Sequence, residues 1–318
     1  MNILFAAPKQ SWGEIFEAIR TALPEHQLEI TDTLECTDLK KYEVLIPTVV
    51  PVTRELLEGC SQLRLIQQCG SGLDSVDLQS ANETGIWVAN VPTWVSGTAD
   101  SIAEMGIHMM IGISRNIRDL SRNFVGRRMG GPVGRALSGS TAGIIGMGGI
   151  GRALVKRLKC FDIRMIGIRR RVERENHEEL GLEWVGTPAE LHRLLGETDY
   201  VFLCLPLMPE TSGMINRDSI SMMKPGAFII NLSRGGIVDR EALHEALESG
   251  SIAGAGLDVF WEEPPDPNDA IFGYNVIATP HSAALTDASV RGVARVVAEN
   301  VRRIENGEIP RFWVVKGR

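Results

Sequence analysis

The chain has 318 residues, 44% of them hydrophobic and 23% charged, with 33 Lys+Arg against 40 Asp+Glu and a formal net charge of −7. That length accommodates two hydrophobic cores of roughly 150 residues each, and the acidic balance gives no general attraction to nucleic acid or to an anionic membrane, so neither is expected as a partner. No apolar stretch reaches the roughly 18 residues of a membrane span, and Cys36, Cys60, Cys69, Cys160 and Cys204, widely spaced and without a C-x-x-C pair, suit neither a disulfide framework nor a metal site, so a reducing cytoplasm is the expected location.

The N-terminal "MNILFAAPKQ" reads as a first buried strand ending at Pro8, without the basic start or long apolar run of a signal peptide. Further strand-length apolar runs follow: "YEVLIP", "RLIQQCG" and "GIWVAN" in the first hundred residues, then "TAGIIG", "RMIGI", "YVFLCL", "AFIINLS", "GAGLDV" and "NVIATP". Continuous apolar strands separated by amphipathic helices imply parallel sheets buried on both faces, an α/β chain. Residues 98–118 predict one long, mostly apolar helix entered through Thr98 or Asp100, and "VGRRMGGPVGRALSG" an irregular connection after it. A last helix is expected over about 286–306, returning to the first domain. The expected division is residues 1–97 plus 286–318 as one domain and 98–285 as the other.

"TAGIIGMGGIGRALVKRLKCF" places Gly146-x-Gly148-x-x-Gly151 directly after a strand and directly before a helix. Glycines there permit a tight turn and close backbone approach, and the helix start offers unpaired N–H groups to a pyrophosphate. The next strand ends at Ile168, and Arg169 lies 18 positions past Gly151, where an NAD site would carry a carboxylate for the ribose hydroxyls. Arginine instead suits an adenosine 2′-phosphate, which it grips by charge-assisted hydrogen bonds. Arg169 and Arg170 therefore predict a preference for NADP(H), with NAD(H) still possible. The competing reading is a solvated basic turn neutralised by the "ERE" at 173–175.

Later strand ends carry Arg234 beside Gly235 and Gly236, Asp258 and Glu263 in "GAGLDVFWEEPP", and His281 after Pro280. In an open α/β sheet, ligands bind at the carboxyl ends of strands. An anion anchor, a carboxylate and a proton donor thus stand on successive strand ends facing the expected nicotinamide site. Glycines on both following positions let the surroundings of Arg234 come close to a small anion, and a histidine can give up a proton as charge develops on a reacting oxygen. A carboxylate partner stabilises the imidazolium such a donor needs.

With these residues in place the chain resembles the D-isomer-specific 2-hydroxyacid dehydrogenases, and within them the NADPH-linked glyoxylate/hydroxypyruvate reductases. The segments "GSGLDSVD", "GIWVANVP", "TAGIIGMGGIG", "CLPLMPETSGMIN", "MKPGAFIINLSRGGIVDREAL", "GAGLDVFWEEP" and "TPHSA" occur in that family's order. The resemblance implies two Rossmann- or flavodoxin-like doubly wound domains with the site in the cleft between them. It implies hydride chemistry on a small 2-oxo or 2-hydroxy acid, with Arg234, Glu263 and His281 as the catalytic set: Arg234 on the substrate carboxylate, Glu263 pairing His281, His281 as the acid/base, and backbone N–H groups of Ser71 and Gly72 also on the substrate carboxylate. Gly146, Gly148, Gly149, Ile150, Gly151, Arg169, Arg170, Pro206, Leu232, Ser233 and Asp258 would contact the cofactor, Asp258 on its nicotinamide side; no metal is implied.

The chain departs from the pattern at Met105, where many relatives carry histidine, and in its arginine-rich 119–139 connection, which lacks their tryptophan, so the substrate stays open. Trp94 and Trp261 flank the motifs, as pocket walls or as core. Phosphoglycerate dehydrogenases and nucleotide-sensing corepressor-type proteins share the fold and form the alternative readings. The surplus apolarity of "IHMMIGI" suggests a face buried against a second copy, a homodimer being the family's usual state, or against its own domain.

Overall fold

The computed structural model describes residues 1–35, 37–171 and 180–317. Its strands, in chain order, are β1 (Asn2–Ala6), β2 (Gln27–Thr31), β3 (Val44–Ile46), β4 (Leu65–Gln67), β5 (Trp87–Ala89), β6 (Thr141–Ile145), β7 (Arg164–Ile168), β8 (Trp184–Gly186), β9 (Tyr200–Leu203), β10 (Ala227–Asn231), β11 (Ile252–Leu257), β12 (Val276–Ala278) and β13 (Trp313–Val315). The chain divides into two compact units, Met1–Thr98 with Leu285–Arg318, and Ala99–Ala284. Both are α/β units built on parallel sheets.

In the first unit the strand order is β13-β5-β4-β3-β1-β2, parallel except for β13, which runs antiparallel to β5. Successive residues of a strand face opposite sides, so the unbroken apolar runs feed two cores. Ile3, Phe5, Val44 and Ile46 pack on one face with Ile19 of the helix Gly13–Ala22 and Val293, Val297 and Val301 of the helix Asp287–Glu305. Leu4, Leu45, Ile66 and Val88 pack on the other with Leu34, Leu57 and Ala81. Each fully buried Leu, Ile, Val or Phe side chain among these contributes about 1.5–3 kcal/mol. The last helix thus belongs to the first unit.

In the second unit the order is β12-β11-β10-β9-β6-β7-β8, all parallel. The chain winds outward from β6 in both directions, leaving a topological switch point between β6 and β9.

The single helix expected over 98–118 is two. Thr98–Ser114 ends, Asn116 takes a left-handed φ of 45°, and a second helix runs Ile117–Val125. Asparagine tolerates that conformation, and its side chain caps the new helix by accepting from Asp119 N at 3.4 Å. The apolar surplus of the first helix also has an internal use: Ile102, Ala103, Met109, Met110 and Ile113 lie in this unit's own core. Ile107 is half-buried and Ile111 is 39% exposed on the same helix. Among the described residues, no helix is long and apolar enough to cross a membrane.

Candidate active site

Parallel strands end on one edge, and here the ends are in register. Ile145 pairs with both Ile168 and Leu203, Leu203 with Asn231, Asn231 with Leu257, and Leu257 with Ala278. Gly146, Arg169, Pro206, Arg234, Asp258 and His281 each follow one of these ends within three residues. The second unit therefore brings most of the expected site residues to one sheet edge.

At β6 the glycines have separate physical duties. Gly146 has a φ of +100°, and a Cβ on it would lie 2.4 Å from the Cys204 carbonyl oxygen. A Cβ on Gly151 would lie 2.2 Å from the Gly146 carbonyl oxygen, so this residue seats the helix Gly149–Leu158 on the turn. Gly148 differs: a Cβ there would meet nothing within 4 Å. It is the N-cap of that helix, whose first turn carries no acid. Gly149 and Ile150 form that first turn. A backbone cradle that is open at Gly148 and closed behind it fits a pyrophosphate.

Arg169 emerges beside the cradle, since Gly146 N–H donates to the Ile168 carbonyl and Arg169 N–H to the Gly186 carbonyl. Arg169 is half-buried and Arg170 exposed. The acids at 173–175 that would neutralise them lie outside the described residues, as does Cys36. Pro206 is exposed. Leu232 sits in the core, so a ligand would meet its backbone, and the Ser233 hydroxyl is engaged, donating to Leu203 O at 2.7 Å and accepting from Leu205 N at 3.1 Å.

His281 and Glu263 meet. The imidazole Nδ1 lies 2.8 Å from Glu263 Oε2, both side chains about a quarter exposed, and Glu263 Oε1 accepts from Phe260 N at 3.1 Å. Burial pushes the Glu263 carboxyl up, but the His281 hydrogen bond and charge, the Phe260 N–H and the Arg234 charge outweigh it and hold it below the usual range. Arg234 is extended and partly buried, and its Nη1 donates to Ser233 O at 2.8 Å. Gly235 beside it is pressed on the next turn, where a Cβ would lie 2.1 Å from Phe260 C.

Asp258, 4% exposed, organises the histidine turn. Its Oδ1 accepts from Thr279 Oγ1 at 2.6 Å and from Ser282 N and Ala283 N at 2.9 Å, and its carbonyl accepts from His281 N at 2.8 Å. Burial pushes its carboxyl above the ordinary range against the pull of those bonds and of His281. Asp258, expected from the sequence at the cofactor, thus also organises this turn with Thr279, and its signal in the sequence is a lone acid closing the small, apolar run "GAGLDV".

Ser71 and Gly72 lie in the first unit, in the loop after β4, where Asn90 Nδ2 donates to Ser71 O at 2.9 Å and Val91 N to Gly70 O. Trp94 is 70% exposed on that unit. Trp261 is tied into the second unit's core, its Nε1 donating to Val238 O at 2.6 Å. Among the described residues no cluster of His, Cys, Asp and Glu is placed to hold a metal ion.

The family model described as "D-isomer specific 2-hydroxyacid dehydrogenase, NAD binding domain" matches residues 107–283, inside the second unit. A glyoxylate reductase of Thermococcus litoralis is 37% identical over 283 residues, covering 86% of this chain and 83% of the relative. A D-3-phosphoglycerate dehydrogenase of Methanocaldococcus jannaschii is also 37% identical, but the match, over 81% of this chain, spans only about half (48%) of that relative's length. The crystal structure of a D-lactate dehydrogenase from Aquifex aeolicus, complexed with NAD and lactic acid, is 29% identical, covers 100% of both chains and superposes with a TM-score of 0.87.

Proposed function

Because the chain belongs to the D-isomer specific 2-hydroxyacid dehydrogenase family of oxidoreductases, we propose that it reduces a small 2-oxo acid, glyoxylate or hydroxypyruvate, to the D-2-hydroxy acid with NADPH preferred over NADH. The observation that carries the reading is the 2.8 Å pairing of His281 Nδ1 with Glu263 on the sheet edge that also holds Arg234 and the glycine cradle. The first turn of the helix Gly149–Leu158 holds the pyrophosphate, and Arg169 and Arg170 hold the adenosine 2′-phosphate. When bound, the reduced nicotinamide supplies the hydride that adds to C2 of the oxo acid.

The chain's own residues do the rest. Arg234 binds the substrate carboxylate and sets the orientation of its carbonyl. Glu263 engages Nδ1 and fixes the ring, so Nε2 carries the transferred proton to the carbonyl oxygen as negative charge grows there. Ser71 and Gly72 offer their N–H groups to a carboxylate. The first unit is then the substrate domain and the second the cofactor domain.

The test is steady-state reduction of glyoxylate, hydroxypyruvate, pyruvate and 3-phosphohydroxypyruvate, each with NADPH and NADH, with His281→Ala as the blank. Turnover fastest on one of the first two, lost in the blank and favouring NADPH, is expected. An Arg169→Ala/Arg170→Ala pair should lower the NADPH-to-NADH specificity ratio by about 10–100-fold, the worth of one or two charge-assisted contacts. Preference for the phosphorylated acid would move the enzyme to phosphoglycerate chemistry. Cofactor binding without turnover on any acid would favour a nucleotide-sensing protein.

A further inference from the structure

We propose that Asn231 is a positioning residue that holds Arg234 in place relative to the Glu263–His281 pair, an inference that rests on the 2-oxo acid reading above. Asn231 closes β10 and is 1% exposed, an amide buried at the end of the apolar run "AFII". Both ends of the amide are engaged by the turn that follows. Nδ2 donates to the Arg234 carbonyl at 2.8 Å, and Oδ1 accepts from Ser233 N at 3.1 Å. Its own carbonyl accepts from Asp258 N at 3.1 Å, which links the same residue to the strand end that shapes the histidine turn.

The surroundings leave this turn little freedom. Ser233 is pinned to β9 through Leu203 O and Leu205 N. Gly235 is pressed against Phe260, whose N–H donates to Glu263. Arg234 therefore stands between two fixed neighbours, and the Asn231 amide grips its backbone from beneath. Losing that grip would let the guanidinium move while the proton donor stayed put, so substrate binding should suffer more than proton transfer.

An isosteric change separates positioning from plain core support. In Asn231→Asp the introduced carboxylate accepts from Ser233 N but has no proton for the Arg234 carbonyl; once protonated, its O–H donates there as the amide did. Burial raises the pKa of such a group, which brings the recovery into an accessible range. Glyoxylate reduction with NADPH, NADPH affinity and oxamate binding would be measured from pH 5.5 to 8 for wild type, Asn231→Asp and Asn231→Ala.

The expected result at pH 8 is a KM about tenfold higher in Asn231→Asp, with kcat within about threefold and NADPH affinity within about twofold. The ratio of variant to wild-type KM should shrink toward one as pH falls, while in Asn231→Ala it should not. A ratio independent of pH in Asn231→Asp, or a loss appearing in NADPH affinity and kcat rather than KM, would overturn the proposal and leave the reductase reading intact. Wild type that neither reduces a 2-oxo acid nor binds oxamate would overturn both. The Asn231→Asp arm stands alone if Asn231→Ala does not fold.

Discussion

His281 has a φ of 51°, in the left-handed region that a non-glycine residue occupies when its surroundings hold it there. The hold comes from Asp258, whose single Oδ1 gathers Thr279, Ser282 and Ala283 around the histidine. Asp258→Ala would strand three donors in a partly buried turn, and should cost about 1–3 kcal/mol in urea denaturation, along with most of the turnover. Glu263 makes a prediction of opposite pH sense to a raised acid. Its carboxyl is held below the ordinary range in the folded chain, so its pairing stabilises the fold at neutral pH and that contribution is lost as pH falls through the depressed folded value. Wild type should therefore be more stable than Glu263→Gln at pH 7, with the difference vanishing well below pH 4; a gap that widens in acid would reverse the assignment. Arg234, Glu263 and His281 were legible in the sequence because each is a chemically distinctive group after an apolar run. The supporting roles of Asn231 and Thr279 were not, since a buried amide or hydroxyl declares its partners only once the turns are folded.

The same contrast holds for whole elements. Strands buried on both faces, such as β1, β6 and β10, were legible as continuous apolar runs. The three overlooked strands lie at sheet edges: β2 is mostly exposed, and β8 and β13 are three residues long with partly exposed positions. These three lack the double burial that writes an apolar run, whereas the edge strand β12 still carries one in "NVIATP". The break at Asn116 escaped notice because apolar residues continue on both sides of it. Within the glycine loop, element geometry separates two substitutions that the motif alone treats alike. Gly148→Ala places a methyl in open space on a backbone with φ of −78°, so stability should stay within about 0.5 kcal/mol while dinucleotide affinity falls at least about tenfold. Gly151→Ala drives a methyl into the Gly146 carbonyl, and both stability and affinity should fall. Thermal melts with and without NADPH would show the two patterns.

At the scale of the whole molecule the open question is association. Much of the apolar side of the helix Thr98–Ser114 packs inside its own unit, while the segment that follows it leaves large apolar side chains in water. Phe124 is 84% exposed, Val125 81%, and Met129 and Val133 fully exposed. The chain after Val125 folds back on its own helix, with Arg127 N donating to Phe124 O, Arg128 N to Asn123 O, and Asn123 Nδ2 to Gly130 O. Large apolar side chains gathered on one arm are unfavourable in water and mark a contact surface. We propose that a second copy covers it, making the enzyme a homodimer. Because Phe124 and Val125 are exposed, Phe124→Asp and Val125→Asp should leave the fold of each chain within about 0.5 kcal/mol of wild type. Buried in an interface, the same carboxylates would face desolvation without a partner, a cost of several kcal/mol per ion, enough to separate the subunits. Light scattering on the eluting protein should give twice the chain mass for wild type and a single chain mass for the double variant. A wild type of single mass, or a double variant that still pairs, would place association away from this arm.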